Sequence, residues 1–462
     1  MVFSSIPFLF IFLPAVLILY HVLPKKVRNL FLLAVNLVFY AYGEPIYVLL
    51  MIASIVLNYV GALIIEKSKD SRQRKLLLAV FVVLNLAALG YFKYTGMVLD
   101  LLRKLPYLHQ IPVYEVVLPI GISFYTFQAM SYVIDVYRKT CKPERNIIDF
   151  AAYISLFPQL IAGPIVRYSD VSDQLGSRKE SLKNFESGIY LFLIGLSKKV
   201  LLANRFGVLW VSVSASPEEF GVLGAWLGAL AYTFQIYFDF AGYSNMARGL
   251  GKMMGFEFCI NFNYPYTAKT VTDFWRKWHI SLSTWFRDYV YIPLGGNRVK
   301  KFRFILNIMI VWSLTGLWHG AGLNFICWGI YYGVILLAEK LVLSKLFEKL
   351  PVFISRIYTI LVVIIGWIFF ASESFTAAWE YICAMLGKAN GLLGVHPQNI
   401  AWLPLLIIGG VASTPLFANL YEKLKGKGAE FPVKLCLVIL ALVLCTASLV
   451  SESYNPFLYF RF

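Results

Sequence analysis

Long uncharged apolar stretches alternate with short polar ones along almost the whole chain. Residues 46–65 and 220–238 contain no charged side chain, and residues 116–134, 402–420 and 435–450 are similar. A helix of about 20 apolar residues crosses the roughly 30 Å hydrocarbon core of a bilayer. The pattern predicts an all-α polytopic membrane protein with about 11 to 13 hydrophobic segments, some of them re-entrant or interfacial.

Composition supports a membrane protein. Of the 462 residues, 59% are hydrophobic and only 15% are charged, more apolar surface than a soluble domain of this size can bury. Residues 3–23 have no basic residue before them and no small-residue cleavage site after them. We therefore expect a first spanning helix there, and not a removed signal peptide.

The formal net charge of +17 is concentrated between the apolar runs. Basic clusters occur in residues 25–28, 67–75, 138–145 and 298–303. Basic loops stay on the cytoplasmic side, where they also meet anionic lipid, so we expect contact with the bilayer surface. Docking of an anionic donor is the alternative use of this charge. Nucleic-acid binding is not expected, because the charge is dispersed among hydrophobic spans.

The middle of the chain is less regular than its ends. From Pro119 onward the apolar runs carry glycine, proline, glutamine and aromatic residues. Irregular backbone persists at membrane depth only where protein or a water-filled cavity satisfies its polar groups. We predict one membrane domain over residues 1–462, in which a catalytic core (113–338) surrounds a central funnel or tunnel. Spanning helices flank the core at 1–95 and 341–462, and a polar loop with His396 is expected outside the membrane.

His319 is the first candidate for chemistry. It stands in TGLWHGAGLNF, between the uncharged runs 304–318 and 323–338. Ionisable groups within spanning segments are costly and usually mark a functional site. The surrounding glycines permit close backbone approach or a broken helix, and an imidazole can both accept and return a proton near neutral pH. We predict that His319 is catalytic and that neighbouring Trp318 contacts substrate.

His279 is the second candidate. It lies in DFWRKWHISLSTWF, where tryptophan and basic residues together favour the membrane interface. A purely interfacial role on an amphipathic helix is the alternative. Arg276 is three residues away and would share a helical face with His279, whereas a pair with Asp273, six away, would need a bend. We predict a catalytic His279, with substrate-binding side chains at Asp273, Arg276, Lys277 and Arg287.

Three further polar residues are candidates for substrate binding. Asp239 ends an uncharged span and Asn245 follows it, while Arg167 follows FPQLIAGPIV. Two of them have a structural alternative: Asp239 can form an ion pair, and Arg167 can extend to lipid head groups. No HExxH pattern or P-loop occurs, and the six cysteines form no CxxC pair, so neither a metal site nor a disulfide framework is predicted.

Four blocks in order carry a family resemblance. They are FPQLIAGPIVRY, YFDFAGYSNMARGLG, NFNYPYTAKTVTDFWRKWHISLSTWFRDYVYIPLGGNR and GLWHGAGLNFICWG. They resemble the membrane-bound O-acyltransferase family, and within it the bacterial alginate O-acetyltransferase branch. The resemblance implies a multi-pass protein of the bacterial inner membrane, with His319 at the family histidine and His279 at the second polar catalytic position.

The resemblance also implies a reaction. An acyl group, here acetyl, would pass from a cytoplasmic thioester, acetyl-CoA or a charged carrier protein, to a hydroxyl of an extracellular polysaccharide such as alginate. No bound cofactor is implied. An extracytoplasmic SGNH-type acyltransferase would be the partner that completes the transfer. Three positions depart from the usual pattern: Asn245 often is Asp, Leu323 often is aromatic, and Tyr332 often is His, which leaves any role of a third histidine in doubt.

Other functions fit parts of the same pattern. Within acyl transfer, D-alanyl transfer to teichoic acid from a carrier protein is the nearest alternative. Outside it, broken helices and buried polar residues also suit a transporter or flippase that breaks no bond, or a scaffold that docks a partner enzyme. The acceptor polymer, the oligomeric state and the formation of a covalent acyl-enzyme are left open by the sequence.

Overall fold

A computed structural model of the chain describes residues 2–112, 114, 116–388, 401–428, 430–451 and 454–458. Helices account for all its regular elements, and no strand occurs in these ranges. The predicted all-α class is confirmed. The prediction for the loop with His396 concerns residues outside the described ranges.

The α-helices are, in chain order, α1 Leu13–Val22, α2 Arg28–Gly43, α3 Val48–Lys67, α4 Ser71–Arg103, α5 Ile122–Arg138, α6 Ile147–Ser155, α7 Phe157–Leu160, α8 Tyr168–Gly176, α9 Leu182–Ser197, α10 Asn204–Ser214, α11 Gly221–Met253, α12 Val271–Lys277, α13 Ile280–Phe286, α14 Lys301–His319, α15 Leu323–Ala338, α16 Ser344–Lys349, α17 Val352–Ala371, α18 Phe375–Cys383, α19 Leu403–Ala412, α20 Leu416–Leu424 and α21 Glu430–Ser451.

Seven helical segments in the described residues are long and apolar enough to cross a membrane. They are α3, α4, α11, α14, α17, α21 and the continuous run Leu323–Lys349. α19 and α20 form an eighth span if counted together, although they meet at 59°. Pro415 immediately precedes α20 and explains the bend, because proline disfavours helical geometry in the residue before it. The chain is thus a multi-pass membrane protein.

The chain forms two compact units. One comprises Met1–Phe192 with Ser244–Cys259, and the other Leu193–Tyr243 with Ile260–Phe462. In the first unit α3 and α4 are joined by a reciprocal amide pair: Asn58 Nδ2 donates to Asn85 Oδ1 at 3.0 Å, and Asn85 Nδ2 donates to Asn58 Oδ1 at 2.8 Å. The single membrane domain proposed from sequence stays a prediction.

Helices α14 and α15 pack closely in the second unit. A Cβ atom on Gly316 would lie 2.3 Å from the carbonyl oxygen of Phe325, and one on Gly329 would lie 2.3 Å from that of Trp312. Only glycine allows this approach, so the two backbones touch along their length. His319 is the last residue of α14, and the hairpin brings it beside α15. It therefore lies at a helix end, where the backbone turns.

The expected amphipathic helix around His279 is broken in two. α12 ends at Lys277, α13 begins at Ile280, and His279 between them has a left-handed φ of +43°. The expectation that Arg276 and His279 share one helical face was therefore wrong, because the helix ends before His279. The sequence alone did not reveal this break, since neither proline nor glycine marks it.

We predict that Gly329→Ala destabilises the α14–α15 pair. The added methyl group would overlap a backbone carbonyl that cannot rotate away, and overpacking of this kind costs about 1–3 kcal/mol. Thermal unfolding of the purified protein in detergent measures the effect. Gly333→Ala is the control, because its Cβ would lie 3.0 Å from the movable Met309 Sδ. Equal melting temperatures for the two variants would contradict close packing at Gly329.

Candidate active site

His279 occupies a tight turn that Asn261 holds in place. A left-handed backbone is uncommon for a non-glycine residue and needs support from its surroundings. The carbonyl oxygen of Asn261 accepts the Ile280 N–H at 3.0 Å, and its side-chain Oδ1 accepts the Ser281 N–H at 3.1 Å. The turn therefore presents the buried His279 ring in one orientation.

The side-chain amide of Asn261 also determines the tautomer of His279. A backbone N–H only donates, so the Asn261 atom facing Ser281 must be the oxygen. That oxygen also lies 3.2 Å from His279 Nδ1, which must then carry a proton. Nε2 is left with the lone pair. Burial lowers the pKa of His279 to about 3, so the ring is neutral at physiological pH.

Glu339 anchors the helix that precedes His279. Its carboxylate accepts the backbone N–H groups of Val271 at 2.7 Å and Thr272 at 2.9 Å, and the Thr272 hydroxyl at 2.6 Å. Negative charge at a helix N-terminus meets unpaired N–H groups and the positive end of the helix dipole. Sequence analysis missed Glu339, although a single carboxylate after the apolar run 323–338 was a visible signal.

A cavity of about 490 Å³ lies against α12, α13 and α14. It is lined by Thr272, Trp275, Arg276, His279, Ile280, Leu282, Ser283, Thr284, Phe286, Arg287, Tyr291, Ile308, Val311, Trp312, Thr315 and Leu336. The four lining residues of α14 recur at helical spacing and so share one face. His319 is four residues beyond Thr315, on that same face and one turn further along the helix.

The Trp318 indole lies between the two histidines. Its ring centroid is 5.0 Å from that of His319 and 6.0 Å from that of His279. His319 is 5% exposed, and its ring also contacts Trp328 and Phe370, each with a centroid distance of 5.1 Å. The structure thus gathers the two predicted catalytic histidines and Trp318 in one aromatic cluster.

The predicted charged residues divide into two groups. Arg276 and Arg287 line the cavity and are exposed to solvent. Asp273 and Lys277 do not line it; they form an ion pair of 2.9 Å with each other along α12. Arg287 also pairs with Asp288, Nε to Oδ1, at 2.7 Å. With two guanidinium groups and one carboxylate, the exposed mouth of the cavity is basic on balance.

The remaining predicted residues lie elsewhere in the fold. Asp239 is buried, pairs with Lys199 at 2.7 Å, and accepts the Leu458 N–H at 2.8 Å, which ties residues 454–458 to α11. Arg167 starts α8 in the first unit, where its N–H donates to Asp170 Oδ2 at 3.2 Å. Asn245 is half-buried in α11. Substrate roles for these three residues stay predictions.

The described residues contain no cluster of three or more His, Cys, Asp or Glu side chains able to hold a metal ion. The arrangement consists of two buried imidazoles, aromatic side chains that carry N–H and O–H groups, and a cavity with two arginines in its exposed lining. Such a site suits proton transfer to and from a substrate held in a low-dielectric environment.

Comparison with known proteins identifies the family. Residues 144–376 match MBOAT, the membrane-bound O-acyltransferase family. The chain is 38% identical to the "Probable alginate O-acetylase AlgI" of Azotobacter vinelandii and 40% identical to that of Pseudomonas putida, over the full length of every chain. It is 33% identical to the "Peptidoglycan O-acetyltransferase" of Helicobacter pylori, over 86% of this chain and 81% of the relative. A "Teichoic acid D-alanyltransferase" of Streptococcus thermophilus matches 49% of this chain.

The spanning helices and the relatives thus define a multi-pass bacterial membrane enzyme that transfers acyl groups. The chain belongs to the membrane-bound O-acyltransferase family, and it is an O-acyltransferase. The resemblance to the alginate O-acetyltransferase branch, drawn from four sequence blocks, is confirmed by relatives that match the whole chain.

We predict that Asn261→Ala destabilises the turn at His279. Three donors would lose their acceptor: His279 Nδ1–H, the Ser281 N–H and the Ser281 hydroxyl. Unsatisfied buried groups cost about 1–3 kcal/mol each, so thermal unfolding in detergent should show a clearly lower midpoint. Asn263→Ala is the matched control, since that side chain is exposed and only its backbone N–H bonds to Lys277. An unchanged midpoint for Asn261→Ala would contradict this account.

Proposed function

We propose that this enzyme transfers acetyl from a cytoplasmic thioester to a hydroxyl destined for an extracellular polysaccharide such as alginate. One observation carries the proposal: a basic-mouthed cavity lined by His279 follows one face of α14, and His319 is one turn further along that face. The names of the full-length relatives support acetyl as the group and a polysaccharide as the acceptor.

The donor we propose is acetyl-CoA, with an acyl carrier protein as the alternative. Arg276 and Arg287 at the mouth offer donors to its phosphates, since guanidinium groups suit phosphate oxygens. The cavity volume of about 490 Å³ lies in the range of small-molecule sites and is suited to a pantetheine arm that carries the thioester inward. The basic residues that precede and begin α14 are the basis for assigning this mouth to the cytoplasm.

His319 is the proposed general base and acid. It takes the proton of the acceptor hydroxyl as the oxygen attacks the thioester carbon, then returns that proton to the departing thiolate. The new bond is C–O, the broken bond is C–S, and the histidine ends unchanged. His279 presents the lone pair of Nε2, and we assign it a positioning role, accepting a hydrogen bond from a donor amide N–H such as those of pantetheine.

The position of His319 along α14 suits an acceptor from the other side of the membrane. The 19 residues from Lys301 to His319 rise by about 27 Å, close to the hydrocarbon thickness. An acceptor that arrives from outside the cell would therefore meet His319 near the outer face of the membrane. We propose that this acceptor is carried by an extracytoplasmic SGNH-type acyltransferase, which passes acetyl to the polymer.

Two alternatives have less support. D-Alanyl transfer to teichoic acid is the function named for a relative that matches only about half of this chain, while the O-acetylases match all of it. A transporter or flippase would require neither a thioester nor a proton acceptor. Thioester consumption by the purified protein would distinguish acyl transfer from transport. Comparing its rates with acetyl-CoA and with a D-alanyl carrier protein would distinguish the two acyl groups.

We predict that His319→Ala lowers turnover by about 10²–10⁴-fold, because the proton acceptor is lost. The measurement uses purified protein in vesicles, radiolabelled acetyl-CoA and an alginate oligosaccharide, with the partner added where transfer requires it. Free thiol release and labelled product are followed at equal amounts of folded protein. If His319→Ala matches the wild-type rate, His319 is not the catalytic base.

We predict that Arg276→Gln raises KM for acetyl-CoA by about 5- to 30-fold with little change in kcat. The factor corresponds to ~1–2 kcal/mol for a lost charge-assisted hydrogen bond. S-Acetyl-pantetheine, which lacks the phosphates, should be used equally well by both proteins. Arg298→Gln is the control, since it removes an equal exposed charge outside the cavity lining. A parallel loss with both thioesters would contradict a phosphate contact at Arg276.

A further inference from the structure

Three buried hydrogen-bond donors lie together in the aromatic cluster beside His319. They are Trp275 Nε1–H, Trp328 Nε1–H and the Tyr332 hydroxyl, and no described residue forms a hydrogen bond with any of them. Their side chains are 8%, 0% and 0% exposed. The three rings are mutual neighbours: centroids are 5.5 Å apart for Trp275–Trp328, 4.9 Å for Trp275–Tyr332 and 5.2 Å for Trp328–Tyr332.

Two other polar aromatic groups in the same region are satisfied. The hydroxyl of Tyr331 donates to the Val362 carbonyl at 2.8 Å, and Trp367 Nε1 donates to the Tyr266 hydroxyl at 3.2 Å. A buried donor without an acceptor is unfavourable, and native proteins retain few of them. Three such groups on touching rings therefore indicate a site that donates hydrogen bonds to an oxygen atom of a bound molecule.

The cluster of three rings adjoins both the cavity and His319. Trp275 lines the cavity, and the Trp328 ring centroid is 5.1 Å from that of His319. The Tyr332 hydroxyl lies over Gly366, where an added Cβ would be 2.3 Å from the oxygen. One turn further along α17, Phe370 packs on the His319 ring at 5.1 Å.

Thioester transfer is helped by hydrogen-bond donors that face the carbonyl oxygen. Attack of a hydroxyl on the thioester carbon moves the carbonyl electron pair onto oxygen, which becomes an oxyanion. His279 cannot stabilise it by donation, because its Nδ1 proton is engaged by Asn261 and its Nε2 carries the lone pair. The donors must come from other side chains.

We propose that Tyr332, Trp328 and Trp275 form the oxyanion site of this enzyme, and this rests on the acetyl transfer proposed above. The thioester oxygen accepts hydrogen bonds from these groups, which strengthen as negative charge develops on it. When the intermediate collapses, the electron pair returns to the carbonyl, the C–S bond breaks, and the thiolate takes the proton held by His319.

Two adjacent tyrosines provide the test. Tyr332→Phe removes a hydroxyl without a partner, whereas Tyr331→Phe removes one that bonds to a backbone carbonyl. We expect Tyr332→Phe to lower kcat at least tenfold, and up to the 10²–10³-fold known for a single oxyanion donor, with KM little changed and the melting temperature unchanged or raised. Tyr331→Phe should lower the melting temperature and keep kcat per folded molecule.

A spectroscopic measurement separates catalysis from packing. A non-reactive ketone analogue of acetyl-CoA, labelled with ¹³C at its carbonyl, is bound to each variant and its C=O stretch recorded. Hydrogen bonds to the oxygen lower this frequency, so Tyr332→Phe and Trp328→Phe should both raise it. Tyr331→Phe and Trp226→Phe, whose indole donates to the Met385 carbonyl at 3.0 Å, should leave it unchanged.

Failure of the oxyanion site and failure of the proposed function would give different results. If the wild-type protein transfers acetyl but Tyr332→Phe and Trp328→Phe keep both kcat and the carbonyl frequency, the oxyanion site is wrong and the proposed function stands. If the wild-type protein consumes no acetyl-CoA, the proposed function fails first. A loss of activity in Tyr332→Phe that is matched by Tyr331→Phe would mark a packing effect and would also overturn the oxyanion site.

Discussion

One side-chain oxygen, Oδ1 of Asn261, supports the geometry of the candidate site. By accepting the Ser281 N–H it stabilises the left-handed turn at His279, and by accepting the Nδ1 proton it selects the histidine tautomer. Without this acceptor, buried donors would be left unpaired in an apolar environment. The break between α12 and α13, the orientation of the imidazole and its proton state all depend on that one group.

Two further constraints bring the second histidine to the same place. Glu339, on the segment that continues α15, binds the N-terminus of α12, and the glycine contact between α14 and α15 brings His319 beside Trp328. The segment from α15 to Glu339 therefore contacts both α12 and the aromatic cluster around His319. One contact joins a carboxylate to backbone N–H groups and the other joins two backbones, so a small displacement of α15 would move both histidines relative to the cavity.

The aromatic cluster links binding to chemistry in the proposed reaction. Large rings exclude water, which strengthens electrostatic interactions within the site, while their N–H and O–H groups supply donors that need little reorganisation. In this reaction His279 would accept a hydrogen bond from the acyl donor. Tyr332 and the two indoles would donate hydrogen bonds to the thioester oxygen. His319 is then left to move the proton.

The sequence by itself determined the fold class, the family and the two histidines. Spanning helices depend on local hydropathy, so residues 46–65 and 435–450 closely anticipate α3 and α21. His319 and His279 were visible because ionisable groups in apolar or tryptophan-rich stretches are rare. Only the tertiary structure decided that the helix breaks at His279 and that Trp275, Trp328 and Tyr332 meet. These facts arise from contacts between residues up to 57 positions apart in the chain (Trp275 to Tyr332), and spacing along one helix carries no information about such contacts.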